Sequence, residues 1–239
     1  MKKIYSFIVM FFVFSIVFSQ GYEVTYQQKI SLGGITTESE FQLLLDVTSS
    51  KSVYFELNKS VFHENEDEFI ATDNNVVPFV EKDYSKKEIV YNQPIINRIV
   101  VVKDDLPLQK WKILDEVKII KSLKCKKATT TFRGRSYSVW FTESIPTIGG
   151  PWKFDGLPGL ILEVTSNDGV FKIETTKIEK KKKTKKIELK YDATSLISWN
   201  EYCEKYKKVI IRIRKSLKAE NEQDTDYEFN IDLVEDIGL

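Results

Sequence analysis

Residues 145–164, IPTIGGPWKFDGLPGLILEV, constrain this chain more than any other stretch. Four of its ten glycines (Gly149, Gly150, Gly156, Gly159) and three of its six prolines (Pro146, Pro151, Pro158) fall there, beside Trp152 and Phe154. Glycine permits positive φ or close backbone approach, and proline fixes φ while withholding a donor, so together they specify one loop path. Leu160, Ile161, Leu162 and Val164 then read as a buried strand. Two readings of the loop follow. Trp152, Phe154 and Leu157 either plug one end of a sheet or barrel, or form a lip over an apolar cavity.

Ahead of the fold, Lys2 and Lys3 precede an apolar run from Ile4 to Phe18, and small or tolerated residues follow at Val17, Phe18 and Ser19. This is the pattern of a secretory signal peptide over residues 1–19, with cleavage expected between Ser19 and Gln20. The run is shorter than the ~20 residues that span a bilayer, so an integral membrane protein is not expected. No cysteine sits at the cleavage point, so there is no lipobox, and the expected destination is the periplasm or the exterior. Subtracting Lys2 and Lys3 from the formal charge of +1 leaves −1. No strong field for nucleic acid remains. Residues 20–239 read as a single domain, with 42% hydrophobic residues to build its core.

From Tyr22 the pattern is β. Tyr22, Val24 and Tyr26 alternate with polar residues, Gly33-Gly34 supplies a turn, and Phe41, Leu43, Leu45 and Val47 alternate again. Val53, Phe55 and Leu57 extend this to a meander. Residues 63–75 read as a solvated acidic loop. Strand patterns resume at 87–91, 97–103 and 111–114. A long strand over 117–132 is expected to pair with 135–142 through a turn at Gly134, placing Tyr137, Val139 and Phe141 on one face and Trp140 on the other. Asp168-Gly169 predicts a hairpin between 160–164 and 170–178. The lysine run 180–186 is expected along an exposed edge or turn.

One long helix is expected near the C-terminus. Leu196, Trp199, Cys203, Tyr206, Ile210, Ile213 and Leu217 recur at spacings of three and four, with Asp192 or Thr194 as cap. Beyond it, the acidic tail alternates at Tyr227, Phe229, Ile231 and Leu233, a pattern for a final strand over 227–234. These elements predict an α+β protein, a strongly curved antiparallel β-sheet or half-open β-barrel with the amphipathic helix packed on it. That order is analogous to periplasmic lipoprotein carriers of the Lol type, a likeness of fold and not of function.

Gly156 to Ile161 spell GLPGLI. Upstream stand Lys124-Cys125-Lys126-Lys127-Ala128, Phe132-Arg133-Gly134-Arg135, Trp140-Phe141-Thr142 and Gly150-Pro151-Trp152-Lys153-Phe154. This ordered series, over residues 115–180, resembles the GLPGLI family, secreted proteins of Bacteroidetes-type bacteria named for the motif. The resemblance implies export and supplies no catalytic residues.

The chemistry-bearing residues are few. His63 is the sole histidine and lies among acidic residues with no nucleophile motif nearby, so a Ser/His/Asp or Cys/His arrangement is not expected. No metal-ligand spacing or cofactor fingerprint is present, and neither an enzyme nor a cofactor is expected. His63, Glu64, Glu66, Asp67 and Glu68 match no known metal loop. Arg133 and Arg135 either fork onto a ligand's carboxylate or phosphate, or pair internally with Glu143, Glu163 or Asp168. Cys125 and Cys203 either form a disulfide or stand as separate buried thiols. The contact residues expected for a ligand or partner are Arg133, Arg135, Trp140, Trp152, Phe154 and Leu157. The function expected is a non-enzymatic secreted or periplasmic binding protein for a hydrophobic or amphiphilic ligand such as a lipid. The alternative is an accessory protein docking on an outer-membrane transport or secretion partner.

Overall fold

The computed structural model describes residues 21–57, 68–70, 77–96, 98–106, 109–182, 186–189, 191–220 and 233–238. The segment expected to be a signal peptide, most of the expected acidic loop with His63, residues 183–185 of the lysine run and residues 227–232 of the expected final strand lie outside the described residues.

Strands β1 (Gly21–Leu32) and β2 (Ile35–Asp46) form the expected hairpin. Gly33 and Gly34, at φ of 56° and 79°, make its turn. Such tight hairpin turns need positive φ at both central positions. The period-2 pattern turns Val24, Tyr26, Phe41, Leu43 and Leu45 into the main core. Strand β3 (Lys51–Glu56) extends the meander, and it is buried on both faces. Tyr54, opposite Leu43, faces that core, whereas Val53 and Phe55 join Leu44 in a second apolar cluster on the other face. Both faces of the sheet are covered here, with Phe79 and Leu189 packed on the second cluster.

Strand β4 (Glu68–Ile70) pairs in parallel with β13 (Lys186–Glu188) as a separate small sheet. Strand β5 (Phe79–Asp83) has no counterpart in the sequence reading. Its apolar pattern is interrupted by Lys82, which is fully buried. Strands β6 (Glu88–Ile95) and β7 (Arg98–Asp105) follow. The expected strand over 117–132 is two strands, β8 (Lys112–Ile120) and β9 (Leu123–Phe132). Lys121 and Ser122, at φ of 48° and 64°, turn the chain between them without a glycine to signal it. The expected strand at 111–114 is the start of this same β8, which has an irregularity between Ile113 and Val117.

Strand β10 (Arg135–Thr142) buries Tyr137, Val139 and Phe141 as the alternation requires. The hairpin of β11 (Leu160–Ser166) and β12 (Phe171–Lys181) turns through Gly169 at φ 75°. Lys180 and Lys181 lie at the end of β12, paired with Tyr22 and Gly21, and are not on an outer strand. Helix α1 (Trp199–Glu220) buries Tyr202, Cys203, Tyr206 and Ile210. Its cap is neither Asp192 nor Thr194. Ser198 and Glu201 form a reciprocal capping box: the Glu201 carboxylate accepts from Ser198 N (2.8 Å) and Ser198 Oγ accepts from Glu201 N (3.2 Å). Asp192 instead closes the preceding turn, accepting from Thr194 N at 2.9 Å.

Eleven strands form one antiparallel sheet in the order β7-β6-β5-β3-β2-β1-β12-β11-β10-β9-β8. The sheet is open, with β7 and β8 outermost. It nevertheless curves far round, because Arg133, in the turn between β9 and β10, reaches Asp104 of β7 at 2.6 Å. Residue Ile197 covers the β7 edge, donating to Val101 O (3.0 Å) and accepting from Lys103 N (2.9 Å). Among the described residues, no strand covers β8. No described helix is long and apolar enough to cross a membrane.

Candidate functional site

The space enclosed by the curved sheet is occupied largely by the glycine-proline loop. Phe154 is fully buried, its ring centroid 4.9 Å from Tyr137 and 5.3 Å from Trp152, and Leu157 is also buried. A loop in a core must satisfy its backbone polar groups without water. Three side chains do so. Lys82 Nζ donates to Gly150 O (3.0 Å) and Phe154 O (2.6 Å). Gln109 donates to Lys153 O (3.1 Å) and accepts from Asp155 N (3.2 Å). Trp111 Nε1 donates to Asp155 O at 2.7 Å.

The charge on Lys82 is matched by Asp155, 3.1 Å away, with both side chains buried. Burial pulls the Lys82 ammonium below its ordinary value, and Asp155 restores part of it. Tyr84 Oη donates to the same carboxylate at 3.0 Å. The loop is closed at its far end by Gly159, at φ 150°. A Cβ there would lie 2.1 Å from Thr142 O, so only glycine fits.

A second buried ionic network joins the loop to residues 233–238. Glu235 accepts from both Lys153 and Arg133. Arg133 also pairs with Asp104 and lies 3.4 Å from the centroid of the Trp199 ring, a close cation–π contact. Lys153 is 4.0 Å from the Tyr91 ring centroid and donates to Gln93 Oε1 at 3.2 Å. Burial drives the Lys153 ammonium down to about 8 despite Glu235. For Glu235, burial pushes upward, but Lys153 and Arg133 outweigh it and hold the carboxyl below its ordinary value.

Arg135 donates to the Asp168 carboxylate (2.7 Å) and to the carbonyls of Leu233 (3.1 Å) and Val234 (2.6 Å). Both arginines therefore pair internally. Arg135 takes Asp168 as anticipated, while the partners of Arg133 come from β7 and the C-terminal segment. Leu233 and Val234 are not in a strand, and their carbonyls accept from Arg135.

The loop leaves one part of the interior open. A cavity of about 530 Å³ lies between β1 and β2 on one side and β6 and β7 on the other. Phe41 and Phe171 form its buried floor and Trp152 one wall, while Gln28, Ser39 and Thr37 lie toward the more exposed end. A smaller space of about 280 Å³ adjoins it beside α1, sharing Ile30, Gln93, Pro94, Val234 and Glu235.

The residues expected to act together are divided by the fold. Phe154 and Leu157 are core plugs, and Trp152 alone of the loop trio lines the cavity. Trp140 is on the outer face, under Lys118 at 4.7 Å and Lys127 at 5.9 Å. It is remote in role from the cavity. Cys125 and Cys203 are separate buried thiols, not a disulfide: Cys125 donates to Leu123 O at 3.4 Å within β9, and Cys203 packs on the inner face of α1. Sequence reasoning missed Lys82, Lys153, Asp155, Gln109 and Glu235. Lys153 and Asp155 flank Phe154 in the loop, the one hint available. Among the described residues no group of His, Cys, Asp and Glu is arranged to hold a metal.

An open, curved antiparallel sheet, a loop packed in its hollow and a helix beside one edge define the architectural class. The chain belongs to the family described as "N-glycanase peptide, N-terminal domain" (PNGase_F-II_N), whose model matches residues 24–200. No curated protein matches the sequence. Solved structures of PNGF-II in C2 and P21 space groups are similar to it, with TM-scores of 0.52 and 0.51 and identities of 24% and 23%. The matches cover 74% and 75% of this chain but 32% and 31% of PNGF-II, so the chain spans about a third of the relative's length. At this identity the likeness establishes the fold alone. A looser likeness to MucB in complex with MucA(peri), at TM-score 0.35 and 9% identity, carries no argument.

Proposed function

We propose that the protein is a non-enzymatic binding protein of the periplasm or exterior, which seats a hydrophobic or amphiphilic ligand between β1–β2 and β6–β7. The observation that carries this reading is the cavity of about 530 Å³, floored by aromatic rings and left open beside the packed loop. Ligand sites are concave, mostly apolar and supplied with a few polar groups, and this volume lies in their usual range. The buried charged groups nearby support a scaffold role, because Lys82 is matched with Asp155, and Lys153 and Arg133 with Glu235. The Lol-type carriers remain an analogy for such a hollow, and GLPGLI membership is proposed on the motif series in residues 115–180. The family's name links the domain to an N-glycanase, but glycan release is not assigned to this chain.

The test is titration with the fluorescent apolar probe N-phenyl-1-naphthylamine. Saturable enhancement is expected, with loss on Ile30→Glu, which places a charge in the cavity wall. Absence of saturable enhancement in the wild-type protein contradicts the reading.

Docking on a membrane partner is the second reading, and the edge strand β8 favours it. Its outer side has no covering strand among the described residues, and Ile113, Val117 and Ile119 are 48%, 49% and 67% exposed. Such an edge is a template for strand addition. Crosslinking from position 117 in the native envelope would yield one recurrent partner if this reading holds, and none if it does not.

A further inference from the structure

We infer that the cavity selects an uncharged amphiphile with a hydroxylated head, and discriminates against an acidic one of the same chain length. This rests on the binding reading above and specifies its ligand class. Three observations carry it.

The first is a polarity gradient along the cavity. Phe41 and Phe171 are buried at 5% and 1% exposure, whereas Ser39 is half-buried and Thr37 exposed. The register sets this order: Tyr26 lies opposite Phe41, Gln28 opposite Ser39 and Ile30 opposite Thr37, so along β2 the inward residues pass from aromatic to hydroxylated toward the hairpin tip. A tail lying over the rings therefore places its head beside hydroxyl and amide groups.

The second observation concerns hydrogen-bonding capacity. The polar residues deeper along β6 are committed to the protein: Asn92 donates to Val77 O (2.7 Å) and accepts from Phe79 N (3.0 Å), while Gln93 serves Lys153 and Glu235. The hydroxyls of Thr37 and Ser39 have no hydrogen-bond partner among the described residues, and Gln28 is engaged through its carbonyl oxygen, which accepts from Tyr54 at 3.2 Å. Neutral donors and acceptors are thus offered at the outer end, matching a hydroxylated head.

The third observation is charge. Among the described residues that line the cavity there is no lysine or arginine, and the two carboxylates are Glu56 and Glu235. Lys153 and Arg133 stand behind the wall, both bound to Glu235. An anionic head entering here meets no cation among the described residues, and an unpaired charge leaving water is strongly disfavoured.

The experiment is displacement of N-phenyl-1-naphthylamine by 1-monolauroylglycerol and by laurate, at about pH 8 where the fatty acid is ionised. The glyceride is expected to displace the probe at a concentration at least about tenfold lower. Ser39→Lys, on a half-buried strand position, puts a cation at the head position in place of a hydroxyl and is expected to raise laurate affinity about tenfold while weakening the glyceride. Laurate binding as tightly as the glyceride in the wild-type protein overturns the inference but not the binding reading. An unchanged laurate affinity in Ser39→Lys overturns the placement of the head. A probe that binds but is displaced by neither compound overturns the ligand class, whereas a probe that never binds overturns the binding reading itself.

Discussion

Two buried lysines hold the interior together, and they differ in what they hold. Lys82 ties a strand to backbone carbonyls of the loop and to Asp155, so Lys82→Met removes two donors and strands a buried carboxylate. Breaking a buried pair by removing one partner costs about 3–5 kcal/mol, a loss that urea unfolding would detect. Adding Asp155→Leu should recover only part of it, because Gly150 O and Phe154 O remain without donors. Glu235 sets the acid limb of stability. Its folded pKa is depressed, so its contribution is fully present above the ordinary glutamate range and is lost as pH falls through the folded value. Asp168, brought down to about 2 by hydrogen bonds from Ser166 and Arg135 against its desolvation, acts in the same direction. The melting temperature should therefore fall between about pH 4.5 and pH 2. Glu235→Gln should start lower at neutral pH, with Lys153 and Arg133 left buried and unbalanced, and show a shallower acid slope. An unchanged slope would mean that Glu235 is ordinary in the folded state.

At the scale of elements, the loop and its flanking strands should respond to backbone geometry more than to side-chain identity. Gly159→Ala drives a Cβ onto Thr142 O and forces a residue to φ 150°, whereas Gly33→Ala, at φ 56°, meets nothing within 4 Å. Backbone strain of this kind is worth about 1–3 kcal/mol. Gly159→Ala should lose at least that much in a denaturant titration and Gly33→Ala markedly less, and equal losses would contradict the packed-loop geometry. Much of this level was legible in the sequence. The hairpins at Gly33-Gly34, Gly134 and Asp168-Gly169 announce themselves because glycine marks positive φ. The turn at Lys121-Ser122 is hidden because two ordinary residues adopt the same conformation, so the pattern resembles one long strand where there are two. Strand β5 was missed because Lys82 breaks its apolar pattern, although that lysine is buried. The helix stripe is plain, yet its cap at Ser198 lies two residues inside the expected apolar run, which starts at Leu196. The loop trio was identified as a group, but which members plug and which line the cavity depends on contacts with Tyr137 and Phe171, distant in sequence.

The whole molecule is an unclosed sheet with unequal edges. Residue Ile197 covers one edge and the other, β8, presents Ile113, Val117 and Ile119. Within the curve, the ionic network of Arg133, Lys153 and Glu235 links the turn after β9, the loop and residues 233–238, so the C-terminal segment is part of the cavity wall. No single stretch of sequence encodes that wall, which is why the candidate site was only partly foreseen. Arg133 and Trp152 were singled out, while Glu235, 102 residues after Arg133, was not. The most direct test of the binding account is native mass spectrometry of the protein purified without detergent. The account predicts a population carrying one small apolar or amphiphilic molecule, released on denaturation and lost in Ile30→Glu. A bare chain in every preparation, with no adduct recovered after incubation with 1-monolauroylglycerol, would contradict it.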